Sequence, residues 1–156
     1  MAHVNGIDIY FEVRGRGEWL VIIGGLGVDS SAFQHYSNIL SSTYQVLTFD
    51  NRGSGRSSKP DTPYSISMMA QDTISLMDTL GIPRAHVLGV SLGGRIAMEL
   101  ALEHPQRVAS LILVGTTPSV QGRISPIAKL IKRIRALSHH QQPYSWVSDE
   151  LMCFVF

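Results

Sequence analysis

The residue with the clearest chemistry in this 156-residue chain is Ser91, set in Gly89-Val90-Ser91-Leu92-Gly93. Once activated, a serine hydroxyl attacks an ester, lactone or other activated carbonyl. The apolar run His86-Val87-Leu88-Gly89-Val90 leads into Ser91, and a helix-like stretch from Leu92 to Glu103 leads out. Strand, sharp turn and helix around G-x-S-x-G describe a nucleophile elbow. Such a turn strains the serine backbone and points its hydroxyl out of the sheet. Strand and helix pass very close there, and Gly89, Gly93 and Gly94 supply the small residues this requires. Glycine and serine are common and the pattern alone is loose, so its weight rests on the surrounding chain.

The elements that would hold Ser91 follow from periodicity. Val4-Asn5-Gly6-Ile7 predicts a type I′ hairpin. Ile7, Ile9, Phe11 and Val13 alternate with polar residues as in one half-buried strand. Trp19-Leu20-Val21-Ile22-Ile23 is continuously apolar, which suits a strand covered on both faces. Ser30 or Ser31 is expected to cap a short helix carrying Phe33, Tyr36 and Leu40. Residues 44–49 predict a strand, residues 66–80 a helix capped by Ser65, and residues 108–114 a further strand. Helices alternating with strands imply a mostly parallel sheet with helices on both faces, an α/β three-layer sandwich after an antiparallel hairpin. In such sheets the ligand site lies at the carboxyl ends of the strands. Residues 24–27, residues 50–57, Ser91 and residues 115–117 all fall at such ends.

Composition narrows the classes. Apolar residues make up 44% and charged residues 16%, a globular balance. A net charge of +1 argues against nucleic acid as a partner. Cys153 is the single cysteine, so no intrachain disulfide forms, and no metal or other cofactor is expected. The opening residues lack the basic and apolar regions of a signal peptide, and no apolar run nears membrane-spanning length; a membrane partner is not expected, and the expected compartment is the cytoplasm. Charge is uneven, however. Residues 1–103 carry ten acids and seven Lys or Arg, whereas residues 104–148 carry six Lys or Arg and no acid.

Over residues 3–118 the sequence resembles the α/β-hydrolase superfamily. The resemblance is carried by Val4-Asn5-Gly6, by Gly24-Gly25-Leu26-Gly27, and by Asp50, Arg52, Gly53, Gly55 and Ser57 of an Asp-x-Arg-Gly-x-Gly-x-Ser loop. It is completed by Gly-Val-Ser-Leu-Gly-Gly at the elbow and the strand at residues 111–114. Gly24 stands where the family often carries His. The motifs look most like those of small esterases, enol-lactonases and carbon–carbon bond hydrolases. The resemblance implies Ser91 as nucleophile, with the backbone N–H groups of Leu26 and Leu92 as the oxyanion hole. Gly24, Gly25 and Gly27 would let the Leu26 backbone approach. As a phosphate cradle, that loop lacks the Gly-x-Gly-x-x-Gly spacing and a P-loop lysine. Asp50 and Arg52 invite a catalytic role, but the stronger reading is structural, with their polar groups tying strand ends together.

A serine nucleophile needs a histidine base and an orienting acid, which in this fold follow it in the order Ser, acid, His. No acid lies between His104 and Ser148. His139 and His140 precede Asp149 and Glu150, so the order is reversed. His35, near the glycine loop in sequence, is the least implausible substitute. The resemblance divides the chain into a core at 1–118 and the start of a helical lid at 119–156. Ile124, Ile127, Leu130, Ile131, Ile134 and Leu137 form the stripe of a basic amphipathic helix at 124–137, with an interaction module as its rival reading. The chain ends on six apolar residues, as if cut within the lid. On that reading the strand at 111–114 is an open apolar edge, and self-association through it or through the lid helices is expected.

Overall fold

Residues whose types favour extended backbone build the centre of the molecule, and the computed structural model describes residues 1–117 and 153–155. β1 (Ala2–Val4) and β2 (Ile7–Ile9) form an antiparallel hairpin. Asn5 and Gly6 turn it with φ of 50° and 75°, the left-handed pair that a type I′ turn needs. A six-stranded sheet follows, in the order β3-β5-β4-β6-β7-β8. Its strands are β3 (Phe11–Arg14), β4 (Glu18–Ile23), β5 (Tyr44–Phe49), β6 (Ala85–Val90), β7 (Val108–Val114) and β8 (Cys153–Val155). β5, β4, β6 and β7 run parallel, while β3 and β8 pair antiparallel at the two edges.

Helices α2 (Ile66–Thr79) and α3 (Leu92–Glu103) join the hairpin on one face. There Ile9, Val21, Ile23, Leu47, Leu76, Val87, Ile96 and Leu100 share the main core. On the other face Leu20, Ile22 and Val46 are covered by Phe33, Leu40 and Tyr44 around α1 (Gln34–Leu40). The sheet's strands are thus buried on both sides near its middle, which is why β4 reads as an unbroken apolar run. Ser65 caps α2, its hydroxyl accepting from the Met68 N–H at 3.0 Å.

Three expectations change. The strand read through residues 7–13 breaks at Tyr10, because the loop after β5 takes both backbone groups of that residue. The Ser57 hydroxyl accepts from the Tyr10 N–H at 2.9 Å, and the Asp50 N–H donates to the Tyr10 carbonyl at 2.9 Å. β2 therefore pairs with β1 and β3 with β5, leaving Val13 on the edge strand and 39% exposed. No serine caps α1; Asp29 instead caps the 3₁₀ turn that precedes it. Its carboxylate accepts from the Ser31 N–H at 2.9 Å and starts that short turn, Ser30–Phe33. Finally, the edge expected to be open at 111–114 is occupied over its last three residues. Ile112, Leu113 and Val114 pair with Val155, Phe154 and Cys153. An apolar strand edge is a template for another extended apolar segment, and the run at the end of this chain supplies one. The rest of the lid expected at 119–156, including the helix at 124–137, lies outside the described residues. So do His139, His140, Asp149 and Glu150.

Candidate active site

The carboxyl ends of β4, β5, β6 and β7 carry the four loops singled out above: residues 24–27, residues 50–57, Ser91 and residues 115–117. Ser91 is exposed and has φ 52° and ψ −115°, in the left-handed half of the map where a serine is strained. Two hydrogen bonds hold it there. Its N–H donates to the Val114 carbonyl at 2.9 Å, and the Gly94 N–H donates to the Ser91 carbonyl at 3.1 Å. Strand and helix are then so close that side chains are excluded. A Cβ on Gly93 would run into the Ile23 carbonyl oxygen, and one on Gly89 would lie 2.5 Å from the Gly93 oxygen. Thr116, at the end of β7, fills the space over Gly94.

The glycine loop lies against the serine: a Cβ on Gly25 would be 3.5 Å from the Ser91 Cβ. Gly24 is pinned from behind, its carbonyl accepting from the buried Asn51 Nδ2 at 3.0 Å. The Val28 N–H donates to the Gly25 carbonyl at 3.2 Å. In a trans peptide the N–H opposes the C=O, so this bond turns the Leu26 N–H away from the loop's interior. Gly27 follows with φ 70°, and the Leu26 side chain is 82% exposed. Leu92 is the first residue of α3, so its N–H has no acceptor within the helix, and the positive end of the helix dipole falls beside Ser91.

Asp50 and Arg52 are both buried among polar partners. Asp50 is fully buried and both its carboxylate oxygens are engaged, by the Ser30 N–H and the Arg56 N–H at 2.7 Å each. The Ser57 hydroxyl donates to the Asp50 carbonyl at 2.6 Å. Arg52 forms a two-pronged pair with Asp72 of α2, at 2.5 Å from Nε and 2.7 Å from an Nη, and Asn5 of the hairpin donates to the same carboxylate at 3.0 Å. Asp72 and Asn51 were not singled out from the sequence, and Asn5 was read there only as a hairpin residue. Asp72 had a signal: it lies three residues after Met69 and four before Leu76, on the buried stripe of α2.

Among the described residues no side chain hydrogen-bonds the Ser91 hydroxyl. His35 is exposed on α1 with its ring edge-on to Tyr36, the centroids 5.7 Å apart. His3 bonds Asp8 in the hairpin, His104 ends α3, and His86 lies at the opposite end of β6. The described residues hold no group of three or more His, Cys, Asp or Glu suited to a metal ion. None of their helices is long and apolar enough to cross a membrane.

A parallel sheet with a left-handed serine between its central strand and a helix is the architecture of hydrolases of this fold. The profile of the alpha/beta hydrolase fold family matches residues 18–141, and the chain belongs to that family. It is 35% identical over 160 residues to a protein of Azorhizobium caulinodans named "Putative carbamate hydrolase RutD", covering 96% of this chain and 60% of the relative. The enol-lactonase of Burkholderia xenovorans superposes with a TM-score of 0.74 at 32% identity, over 88% of this chain and 54% of that one. Est816, described as an N-acyl homoserine lactone degrading enzyme, gives 0.70 at 35% identity, over 72% and 44%. The chain thus spans about 60% of the length of its curated relative in Azorhizobium, and about half that of the two solved structures.

Proposed function

We propose that this chain supplies the nucleophile and the oxyanion hole of a hydrolase acting on a small carboxylic ester, lactone or similar carbonyl compound. Ser91 Oγ attacks the carbonyl carbon, and the N–H groups of Leu26 and Leu92 receive the charge that develops on its oxygen. Each such donor is worth about 3 kcal/mol of barrier. The observation that carries the reading is the strained, exposed Ser91 with the backbone of Gly25 against it. The names of three relatives, a carbamate hydrolase and two lactone-cleaving enzymes, support an acyl substrate. The histidine and acid that complete such a site are not among the hydrogen-bond partners of Ser91 in the described residues.

That last observation favours a second reading, a folded hydrolase domain without turnover. A fluorophosphonate probe separates the two. Its phosphorus bonds to Oγ, fluoride leaves, and the hydroxyl proton must pass to a base. If the first reading holds, the adduct forms on residues 85–95, the tryptic peptide between Arg84 and Arg95 that contains Ser91. Ser91→Ala then loses both that adduct and hydrolysis of p-nitrophenyl acetate at the elbow. A wild-type peptide that stays unmodified leaves the second reading standing.

A further inference from the structure

At the amino-terminal end of the sheet, well away from the elbow, three side chains from neighbouring strands form a relay. His86 of β6 lies with Nδ1 2.8 Å from Ser110 Oγ of β7 and Nε2 3.3 Å from Glu18 Oε2 of β4. The register explains the meeting, since Ser110 pairs directly with His86, and Glu18 lies two residues before Leu20, the β4 partner of His86. Tyr44 of β5 stands edge-on to the imidazole, with ring centroids 5.7 Å apart. His86 is five residues from Ser91 along an extended strand, or about 16 Å. The two serines therefore occupy separate sites.

The hydrogen bonds are mutually consistent in one tautomer. A carboxylate only accepts, so His86 Nε2–H donates to Glu18, and Nδ1 is left as the acceptor for the Ser110 O–H. Serine, base and orienting acid in that relation are the general signature of an activated nucleophile. The relay is reachable, because the Glu18 side chain is 82% exposed, that of His86 is 26% exposed and Ser110 is half-buried.

The geometry points to Ser110 as a second acylatable serine, with His86 as its general base and Glu18 as the positioning residue. Ser110 Oγ bonds to the carbonyl carbon of an activated aryl ester as its proton moves to His86 Nδ1. The aryl C–O bond breaks, the phenolate departs with its electron pair, and His86 returns the proton to solvent. Ser110 sits within a strand and lacks the helix N-terminus that flanks Ser91. Its reaction is therefore confined to activated esters, whose good leaving group lowers the barrier without donors to the carbonyl oxygen.

The test uses the full chain as Ser91→Ala, so that its outcome is independent of the elbow. The folded protein is treated with p-nitrophenyl acetate, and the tryptic peptide of residues 108–123, bounded by Arg107 and Arg123, is sequenced by mass spectrometry. The expected result is an acetyl group on Ser110 in buffer and none above the level of other serines in denaturing urea. His86→Gln slows the modification by about 100-fold, the scale of a lost general base. Glu18→Ala slows it too, while Glu18→Gln, which keeps an acceptor oxygen, recovers part of the rate. An unmodified Ser110 in the folded protein overturns the proposal, as does modification that is indifferent to His86. The comparison of folded with urea-treated Ser91→Ala decides the matter even if a His86 variant fails to fold.

Discussion

Ser91 shows at the scale of one residue how much backbone strain a fold can hold in place. A serine at φ 52° and ψ −115° carries about 1–3 kcal/mol of backbone strain, and it persists because two backbone hydrogen bonds and three close glycines leave it no other arrangement. Glycine adopts that conformation without penalty. Ser91→Gly is therefore expected to be more stable than Ser91→Ala by about 1 kcal/mol in urea denaturation, with probe reactivity at the elbow lost in both. Close approach was legible at Gly89 and Gly93 because a motif with fixed spacing dictates it. Asn51, which pins Gly24, was not legible, because its partner is a carbonyl 27 residues earlier on another strand end. His86 was read simply as the start of a strand, since its partners Glu18 and Ser110 are set by register and not by spacing.

Between elements, the loop after β5 behaves as a keystone. Through Asp50 it ties β5 to the entry of α1, through Ser57 and Tyr10 to the hairpin strand, and through Arg52 to α2. The Arg52–Asp72 pair is almost wholly buried, with side chains 7% and 3% exposed. Removing one partner strands the other charge. Arg52→Leu is expected to cost about 3–5 kcal/mol by denaturant titration, with much of the loss recovered in Arg52→Leu/Asp72→Leu. The elements themselves were largely legible. Residues 44–49 and 108–114 form strands with the predicted limits, α2 starts after its predicted cap Ser65, and α3 starts at Leu92 as expected. The alternation through residues 7–13 misled, because alternation records which faces are buried and not which strand is the partner. That choice fell to the hydrogen bonds of Ser57 and Asp50 with Tyr10.

For the molecule as a whole, two carboxylates bend stability with pH in opposite directions. Hydrogen bonds from Arg14 and then Tyr10 lower the Glu12 pKa from its usual 4.5. Glu12 therefore contributes stability at higher pH that is lost as pH falls through the lowered value. Burial, followed by repulsion from Glu103, raises the Glu99 pKa from the same starting point. Its contribution is complete below that point and is lost as pH rises through the raised value. Thermal melts across pH are thus expected to show Glu12→Gln losing less stability than wild type on acidification below about pH 4.5. Glu99→Gln is expected to melt higher than wild type at pH 7 and to show little difference in acid.

What the sequence determined by itself was the α/β architecture, the parallel order of helices and strands, and the elbow with its glycines. These rest on local causes: periodicity, turn chemistry, and a tight crossing that admits only small residues. Only the tertiary structure decided which polar groups face one another. It set the bidentate partner of Arg52, the residue that anchors the glycine loop, the strand that occupies the edge of β7, and the relay joining Glu18, His86 and Ser110. Strand register and helix packing bring such groups together from positions up to 68 residues apart, a separation over which no local pattern carries information.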